Sequence, residues 1–372
     1  MYAGLGVLAA VRNVNGEIAE ALRGHDVREQ YAIDERLRTL DGTPQLKRLG
    51  ANATLAVSLA AARACALAQD VAFYEWIGRL AGVEKPLLPL PMVNILSGGL
   101  HASRGMDVQD FLAIPMGATS MADAIHTIAR VRNAATDEAA ARGLPTLLAD
   151  EGGVSPGLET SEEALEMMLR IIERAGLRPG ADVAIAIDVA ATSLQQPDGT
   201  YWLAREQRSV DAAAMIAMQD HWVSRYPVVS IEDGLGEEDW AAWRSLSDRL
   251  RDKVQLVGDD LFTTHPERLA HGIREQVGNG VLVKANQNGT LTGTIDVIQT
   301  AKRAGYTTIV SARSGETEDA FMSDLAVGTS AGQIKIGSLR TSSTVAKYNQ
   351  LLRIEEASGA PMVGADVLAG RA

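Results

Sequence analysis

The chain has one cysteine, few aromatic residues and too little positive charge for a basic surface. Cys65 is the single cysteine among 372 residues, which excludes an internal disulfide and indicates a reducing compartment, the cytoplasm. Aromatic residues make up 4% of the chain, so Ala, Val and Leu must fill the core. The formal net charge of −12 leaves no basic stripe for phosphates, so nucleic acid is not an expected partner. No uninterrupted apolar run of about 18 residues is evident, and we expect no membrane span.

Residues 5–80 have the periodicity of helices. Apolar residues recur at intervals of three and four in VLAAVRNVNGEIAEAL, and GANATLAVSLAAARACALAQD is rich in small residues that favour tight helix packing. The proline-rich stretch EKPLLPLPM (84–92) then predicts a linker, because proline fixes φ and lacks an amide donor. We therefore predict a mainly helical domain over 1–84 and a second domain over 85–372.

Beyond the linker, short apolar runs alternate with amphipathic stretches. MDVQDFLAIPMG (106–117) predicts a strand, a helix is predicted near 120–142, and further strands are predicted at LPTLLADEGG, DVAIAIDVA, PVVSIEDG, VQLVGDD, GVLVKANQ, TTIVSAR and GQIKIG. Nearly continuous apolar strands between helices indicate parallel strands covered by helices. Charged residues at the strand ends lie 22 to 44 residues apart, which fits successive βα units and favours a closed (β/α)8-type barrel. A doubly wound open sheet is the alternative, although no Gly-rich dinucleotide turn follows these strands.

Three acidic residues end consecutive predicted strands. Asp188, Glu232 and Asp259 would therefore meet at the carboxyl-end mouth of the barrel, where functional residues of such barrels lie. Three carboxylates that converge on one point repel each other unless a cation binds them. Because no His or Cys accompanies them, the sequence predicts Mg²⁺ and not zinc.

Basic and polar residues end the other predicted strands. Lys284 and Lys335 would face the carboxylates, and a lysine in a dry pocket near cations has a lowered pKa and acts as a neutral base. Such a base opposite Mg²⁺ suits abstraction of a proton next to a carboxylate. Glu151 is a candidate acid for a leaving group, and Arg313 with Ser314 is a candidate phosphate clamp. A Gly-rich loop, SGGLHASRGMD, places one histidine, His101, where the loop can fold over a bound anion.

Over residues 2–358 the chain resembles the enolase family. The matching phrases, in order, are AVRNVNGEI, LGANATLAVSLA, PMVNILSGGLHA, DEGG, AIDVA, SIEDGL, EEDW, VGDDLFTT, VKANQNGT, RSGETED, GQIKIGS and AKYNQLLRIEE. The resemblance implies a ββαα(βα)6 barrel capped by a smaller α+β domain, in a dimeric cytoplasmic enzyme. It also implies dehydration of 2-phosphoglycerate to phosphoenolpyruvate, and the enolase superfamily is itself a known example of a base acting beside Mg²⁺ on an ene-diolate.

The resemblance assigns a role to each matching site residue. It implies that the metal ligands are Asp188, Glu232 and Asp259, that the base is Lys284, and that the acid for the leaving hydroxyl is Glu151. It also implies that Arg313 and Ser314 contact the phosphate, that Lys335 contacts the carboxylate, and that His101 lies on a closing loop.

The chain departs from the family pattern on one side of the site. Enolases carry His where this chain has Ala312, Glu where it has Asp110, and Asn where it has Arg104. The first two positions match residues that contact the leaving hydroxyl, and Arg104 adds positive charge to the lid loop. The beginning of the family's N-terminal domain has no counterpart, so we expect an N-terminally truncated capping domain.

Three functions are compatible with this pattern. The first is an enolase-type lyase that acts on 2-phosphoglycerate. The second is a diverged relative that resembles carboxyphosphonoenolpyruvate synthase and uses the same enolate chemistry with a phosphonoformate unit, for which Ala312 would make room. The third is a catalytically impaired homologue with a binding role, although every predicted metal ligand and both lysines are retained.

Overall fold

The computed structural model describes residues 2–368, and its first part is helical, as the sequence predicts. A 3₁₀ turn precedes α1 (Leu8–Asn13), a π-helical segment (Val14–Ile18), α2 (Ala19–Leu22), α3 (Gln30–Asp41), α4 (Ala51–Ala68) and α5 (Phe73–Ala81). Gly42 and Gly82 end α3 and α5 in left-handed conformations, with φ of 71° and 67°. The capping region within 2–84 is thus built from helices.

Helix α4 corrects the expectation that no segment is long and apolar enough to span a membrane. Residues Ala51–Ala68 have a mean hydropathy of 1.4, and 33% of them are buried. By length and composition alone this helix meets the requirement for a span, but core helices of water-soluble folds meet it as well. In this structure α4 packs against α3 and α5, and Ala62 and Cys65 are fully buried.

Within residues 85–368, eight of ten strands close the predicted barrel. The strands are β1 (Leu90–Ser97), β2 (Asp110–Ile114), β3 (Ala184–Asp188), β4 (Tyr201–Leu203), β5 (Arg208–Val210), β6 (Val228–Glu232), β7 (Gln255–Gly258), β8 (Gly280–Val283), β9 (Thr307–Ser311) and β10 (Gly332–Lys335). Their order around the barrel is β1, β10, β9, β8, β7, β6, β3 and β2, while β4 and β5 form a separate hairpin. The pairs β1–β2 and β2–β3 are antiparallel, and the other barrel pairs are parallel.

Helices connect the barrel strands. Helices α6 (Met121–Ala141) and α7 (Ser161–Arg174) lie between β2 and β3, so the barrel begins ββαα and continues with βα units. The remaining helices are α8 (Ala212–Arg225), α9 (Trp240–Leu250), α10 (Pro266–Glu275), α11 (Ala285–Asn288), α12 (Leu291–Arg303), α13 (Phe321–Gly328) and α14 (Ser342–Ser358). This order confirms the alternation predicted from the sequence.

Two predicted segments differ from the structure. The run LPTLLADEGG contains no strand; Leu148 forms a single bridge with Val154, and Leu147 is 75% exposed because this apolar stretch lies in a surface loop. The linker predicted over 84–92 overlaps β1, since Leu90–Ser97 is buried throughout and this burial outweighs the effect of Pro91 on the strand. The placement of the domain boundary itself stays a prediction.

The alternation of side chains along the strands carries functional groups to the barrel mouth. On β3, Ala184 and Ala186 pack in the cluster of apolar side chains inside the barrel. Because side chains two residues apart point the same way, Asp188 shares this inner face and lies at its carboxyl end.

Candidate active site

Most of the predicted site residues line one cavity at the carboxyl ends of the barrel strands. Its volume is about 420 Å³, and nine of the twelve predicted residues line it, namely His101, Glu151, Asp188, Asp259, Lys284, Ala312, Arg313, Ser314 and Lys335. Glu232 lies beneath the cavity, bonded to Lys335, and Asp110 lies beside His101. Arg104 is exposed in the β1–β2 loop, with φ of 57°, and does not line the cavity.

The first half of the site, the carboxylate–lysine cluster, consists of Asp188, Glu232, Asp259, Lys284 and Lys335. Strand register brings the first two together, because Asp188 is the pairing partner of Glu232 across β3 and β6. Lys335 Nζ donates to Asp188 Oδ2 and to Glu232 Oε2, at 2.7 Å in each case. Lys284 donates to Asp259 Oδ2 at the ends of the next two strands.

Lys335 is a fixed cation in this arrangement. Burial lowers its pKa, but Asp188 and Glu232 outweigh burial and raise the pKa of Lys335 well above its usual value. This is opposite to the lowered pKa that the sequence suggested for a lysine here. The correction has a simple cause, because the neighbours of Lys335 in the structure are anions and not cations.

The two carboxylates bonded to Lys335 differ in their surroundings. Burial raises the pKa of Asp188, but Lys335 outweighs it, and the result is a lowered pKa. Gln109 Nε2, at 3.1 Å, and the amide of Ala190, at 3.1 Å, also donate to Asp188. Burial and the charge of Asp188 instead raise the pKa of Glu232 well above its usual value. Glu232 Oε1 is buried without a hydrogen-bond partner.

Two further acidic residues, Asp233 and Asp260, were not singled out from the sequence. Asp233 is buried and accepts the amide N–H groups of Asp259, at 2.9 Å, and Asp260, at 2.8 Å. Asp233, Asp259 and Asp260 have carboxylate oxygens within 4.8 Å of one another, and burial together with Asp259 raises the pKa of Asp233 well above its usual value. The signal was present in SIEDG and VGDD, where a second acid follows the strand end.

These residues fit a divalent cation. Five carboxylates, those of Asp188, Glu232, Asp233, Asp259 and Asp260, gather with two ammonium groups, so negative charge is in excess. The unpartnered Glu232 Oε1 is a free oxygen donor in the same place. Hard oxygen donors without nitrogen or sulfur are the set that Mg²⁺ or Ca²⁺ takes. That Asp188, Glu232 and Asp259 share one ion stays a prediction.

The second half of the site, the loop cluster, consists of His101, Asp110, Glu151 and Ser314. His101 Nε2 lies 3.4 Å from Asp110 Oδ1, and His101 Nδ1 lies 3.8 Å from Glu151 Oε1. Ser314 Oγ donates to Glu151 Oε1 at 2.9 Å and lies 3.4 Å from His101 Nδ1. Residues of three separate loops therefore meet on this side of the cavity.

The charges of the loop cluster depend on burial and on each other. Burial lowers the pKa of His101, but Asp110 and Glu151 outweigh it and raise the pKa to about 9. Burial and the charge of Asp110 raise the pKa of Glu151. A raised pKa favours the protonated form of a carboxyl group, which is the form that donates a proton.

Side chains of β1 and α6 hold the loop cluster in place. Ser97 Oγ donates to Asp110 Oδ1 at 2.6 Å, and Asn94 Nδ2 donates to Glu151 Oε2 at 3.1 Å. Below Glu151, the buried Arg132 donates from Nε to the carbonyl of Gly152 at 3.2 Å. The signal for Asn94 and Ser97 was their position as polar residues within an apolar run, PMVNILS.

The loop after β9 brings the remaining predicted residues to the cavity. The amide of Ala312 donates to the carbonyl of Lys335 at 3.0 Å, so the alanine side chain takes a fixed place at the cavity wall. The amide of Arg313 donates to Glu316 at 3.2 Å, and the exposed Arg313 lines the cavity. Ser314 bonds Glu151 in this structure, and its predicted phosphate contact stays a prediction.

Comparison with protein-family models agrees with this architecture. Residues 85–369 match the model described as enolase, C-terminal TIM barrel domain, and residues 1–77 match the model described as enolase, N-terminal domain. The two matches cover nearly the whole chain, and the barrel match alone covers more than half of it. The chain therefore belongs to the enolase family.

Proposed function

We propose that this enolase-family lyase interconverts 2-phosphoglycerate and phosphoenolpyruvate by Mg²⁺-dependent abstraction of the proton next to the carboxylate. The observation that carries the proposal is the presence of two proton-transfer groups, from different parts of the barrel mouth, in the lining of one cavity. Lys284 stands at the end of β8 among the carboxylates, and Glu151, whose pKa is raised by burial, stands in the loop cluster. A β-elimination needs such a base and such an acid on different atoms of the substrate.

Asp188, Glu232 and Asp259 would hold the Mg²⁺. When bound, a divalent ion there supplies positive charge that offsets the doubled negative charge of an ene-diolate. Lys335, held as a cation by its two carboxylates, adds a fixed positive charge for the substrate carboxylate. Arg313 lines the cavity and supplies a guanidinium group suited to the phosphate.

In the forward direction, the proton leaves the substrate carbon for Lys284 Nζ. This requires the neutral amine, so the ammonium group that contacts Asp259 must first give up its proton. Glu151 then donates its proton to the leaving hydroxyl, which departs as water. His101 and Ser314 contact the Glu151 carboxyl and orient it toward the cavity.

A second candidate reaction is supported by the wall of the cavity at Ala312. A methyl group stands there beside Arg313 and leaves space that a larger side chain would fill. Asp110 is tied to Ser97 at 2.6 Å, which holds its short side chain away from the cavity. Both features are on the leaving-group side, so a diverged synthase would retain the enolate chemistry and accept a phosphonoformate unit, as in carboxyphosphonoenolpyruvate synthase.

An absorbance assay for phosphoenolpyruvate formed from 2-phosphoglycerate, with and without Mg²⁺, tests the proposal. Robust Mg²⁺-dependent turnover by the unaltered protein supports the lyase. Turnover that arises only in Ala312→His, and not in the exposed control Ala304→His, favours the diverged synthase. If a calorimetric titration detects no binding of Mg²⁺, the impaired homologue with a binding role is favoured. Homodimeric assembly and a cytoplasmic location stay predictions.

A further inference from the structure

The loop between β9 and α13 brings Arg313 and Ser314 to the catalytic cavity. Most residues of this loop are exposed, and Gly315 takes a left-handed conformation with φ of 77°. A segment with little buried surface opens easily, so its position depends on the bonds that anchor its ends. At the first end, the amide of Ala312 donates to the carbonyl of Lys335 of β10. The anchor at the second end comes from outside the barrel.

That second anchor is an ion pair with the capping region. Arg63 of α4 donates from Nη1 to Asp319 Oδ2 at 2.8 Å and from Nη2 to Asp319 Oδ1 at 2.6 Å. The two residues are 256 positions apart in the chain, so the pair joins the capping region to the barrel. A bidentate pair fixes direction as well as distance, because the planar guanidinium group matches the geometry of a carboxylate.

Other contacts hold the two partners in place, although both side chains are partly exposed. The Arg63 guanidinium lies over the ring of Phe73, 5.2 Å from its centroid, and Phe73 packs against Phe321 of α13. Asp319 Oδ1 also accepts the amide of Phe321 at 2.8 Å. Arg63 outweighs burial and lowers the pKa of Asp319, which keeps the carboxyl group ionised. This preorganisation distinguishes the pair from an ordinary surface ion pair, which contributes little.

We propose that Arg63 is a positioning residue for the active site and acts from the capping region through Asp319. The inference rests on the proposed function, in which Arg313 and Ser314 contact the substrate phosphate. Only a few residues separate Asp319 from these two. Release of Asp319 therefore lengthens the free part of the loop and allows the Arg313 guanidinium to move away from the cavity.

A further bond, from α14, limits the expected effect. Lys347 Nζ donates to the carbonyl of Thr317 at 2.7 Å, and this bond remains when Asp319 is released. The loop should therefore loosen without unfolding. A phosphate contact is made by the bound substrate as well as in the transition state, so its loss weakens binding more than it slows the chemical step. In Arg63→Ala we expect KM for 2-phosphoglycerate to rise about fivefold and kcat to change by less than about twofold.

Hydrogen exchange of the loop amides, followed by mass spectrometry on the full chain, tests the positioning and requires no turnover. We expect the peptide that covers residues 312–319 to exchange about fivefold faster in Arg63→Ala. Arg63→Lys retains the charge without the bidentate geometry and should recover part of the protection. Arg48→Ala is the matched control, because Arg48 forms a bidentate pair of similar exposure with Glu17 inside the capping region. It should leave the exchange of this loop unchanged.

A double-mutant cycle shows whether the effect passes through Asp319. Asp319→Asn loses the charge and keeps an oxygen acceptor for the amide of Phe321. If the pair is the anchor, Asp319→Asn combined with Arg63→Ala should exchange no faster than Arg63→Ala alone. Additive effects of the two substitutions would overturn the inference.

The remaining outcomes separate this inference from the proposed function. Unchanged exchange of residues 312–319 in Arg63→Ala would overturn the anchor, whatever the activity of the protein. Equal acceleration by Arg48→Ala would overturn it too, because the capping region would then loosen as a whole. An unchanged KM in an active Arg63→Ala variant would overturn the positioning role. Faster exchange in a protein that does not act on 2-phosphoglycerate would support the anchor and contradict the proposed function.

Discussion

The two halves of the barrel mouth are built differently. The carboxylate–lysine cluster stands on the ends of parallel strands, where Asp188 and Glu232 are 3% and 2% exposed and share one ammonium group. The loop cluster stands on three loops and on Asp110 at the start of β2, and its acids are held by the neutral side chains of Ser97 and Asn94. The first half is fixed by strand register, whereas in the second half only Asp110 lies in a barrel strand.

This difference suggests a division of labour within the proposed reaction. Charge held rigidly at the strand ends serves the enolate, because preorganised charges stabilise a transition state without reorganisation. The loop half serves the leaving group, and the chain departs from its family there, at Asp110 and Ala312. Substitutions in the carboxylate–lysine cluster should therefore remove catalysis or stability. Substitutions in the loop cluster should instead change which leaving group the enzyme accepts.

Loss of the base should have the largest effect. Lys284→Ala removes the amine that takes the proton, and we expect turnover to fall by about 100- to 10,000-fold. Exchange of the substrate hydrogen with deuterium in the solvent, followed by NMR, should fall equally, because it depends on proton abstraction alone. Lys253→Ala is the control, since Lys253 forms an exposed pair with Asp220. Exchange that survives in Lys284→Ala would place the base elsewhere.

Loss of the fixed cation should destabilise the fold. Lys335→Met leaves Asp188 and Glu232 buried without their shared partner, and breaking a buried pair in this way costs about 3–5 kcal/mol. We expect that decrease in the free energy of unfolding in urea without divalent ions, and partial recovery when Mg²⁺ is added. The surface control Lys253→Met should lose less than about 1 kcal/mol. If the two variants lose similar free energies of unfolding, the carboxylate–lysine cluster does not depend on Lys335 more than the surface depends on Lys253.

The sequence was sufficient for the strand-end half because of a regularity of parallel barrels. Asp188, Glu232, Asp259, Lys284 and Lys335 all follow apolar runs, and the register of parallel strands brings the carboxyl ends of such runs to one mouth. The fold followed from the same alternation. No comparable rule governs loops, so the contacts among His101, Asp110, Glu151 and Ser314 required coordinates.

The predictions that were wrong also have physical causes. Leu147 and Leu148 predicted a strand by their apolarity, but burial is decided by what packs over a segment, and here they are 75% and 48% exposed. In β1, the prolines of the predicted linker concealed a strand that the barrel buries completely. The direction of the Lys335 pKa shift depended on which charges lay nearest, and only the structure supplies those distances.

A buried carboxyl outside the mouth shows what burial does without a lysine in contact. Burial raises the pKa of Asp324 to about 6, and its Oδ1 accepts a hydrogen bond from Gln350 at 3.1 Å. This pKa lies above the unfolded value of 3.8. The contribution of Asp324 to the free energy of unfolding is therefore fully present below pH 3.8 and is lost as pH rises through about 6. Asp324→Asn stays neutral, so at neutral pH it should be more stable than the unaltered protein by on the order of 3 kcal/mol.

Urea unfolding at several pH values checks this expectation, and the advantage of Asp324→Asn should vanish in acid. Asp319→Asn is the matched control with the opposite sign. The Arg63 side chain lowers the pKa of Asp319, so that substitution should destabilise the protein at neutral pH. If Asp324→Asn is no more stable than the unaltered protein at neutral pH, then a buried carboxylate without a lysine partner does not destabilise this fold. The lysines at the barrel mouth would in that case need another explanation.

The smallest expected effect concerns a residue that positions the loop half. Arg132 is 1% exposed, and burial, with a contribution from Arg340, lowers its pKa to about 10. Its Nε atom donates to the carbonyl of Gly152, next to Glu151, while its Nη2 atom has no hydrogen-bond partner. Arg132→Met therefore removes a poorly compensated buried charge together with two hydrogen bonds, to Gly152 and to Thr136. Because these effects oppose each other, we expect the free energy of unfolding to change by less than about 1 kcal/mol.

The catalytic readout distinguishes positioning from a merely structural role. Without its donor, the Glu151 turn should sample more conformations, and kcat is expected to fall by about tenfold, equivalent to about 1.4 kcal/mol, with KM unchanged. Arg132→Lys retains a donor and should recover part of the loss. An unchanged kcat in Arg132→Met would mean that Asn94 and Ser314 alone suffice to hold Glu151, and that the loop half is as rigid as the strand-end half.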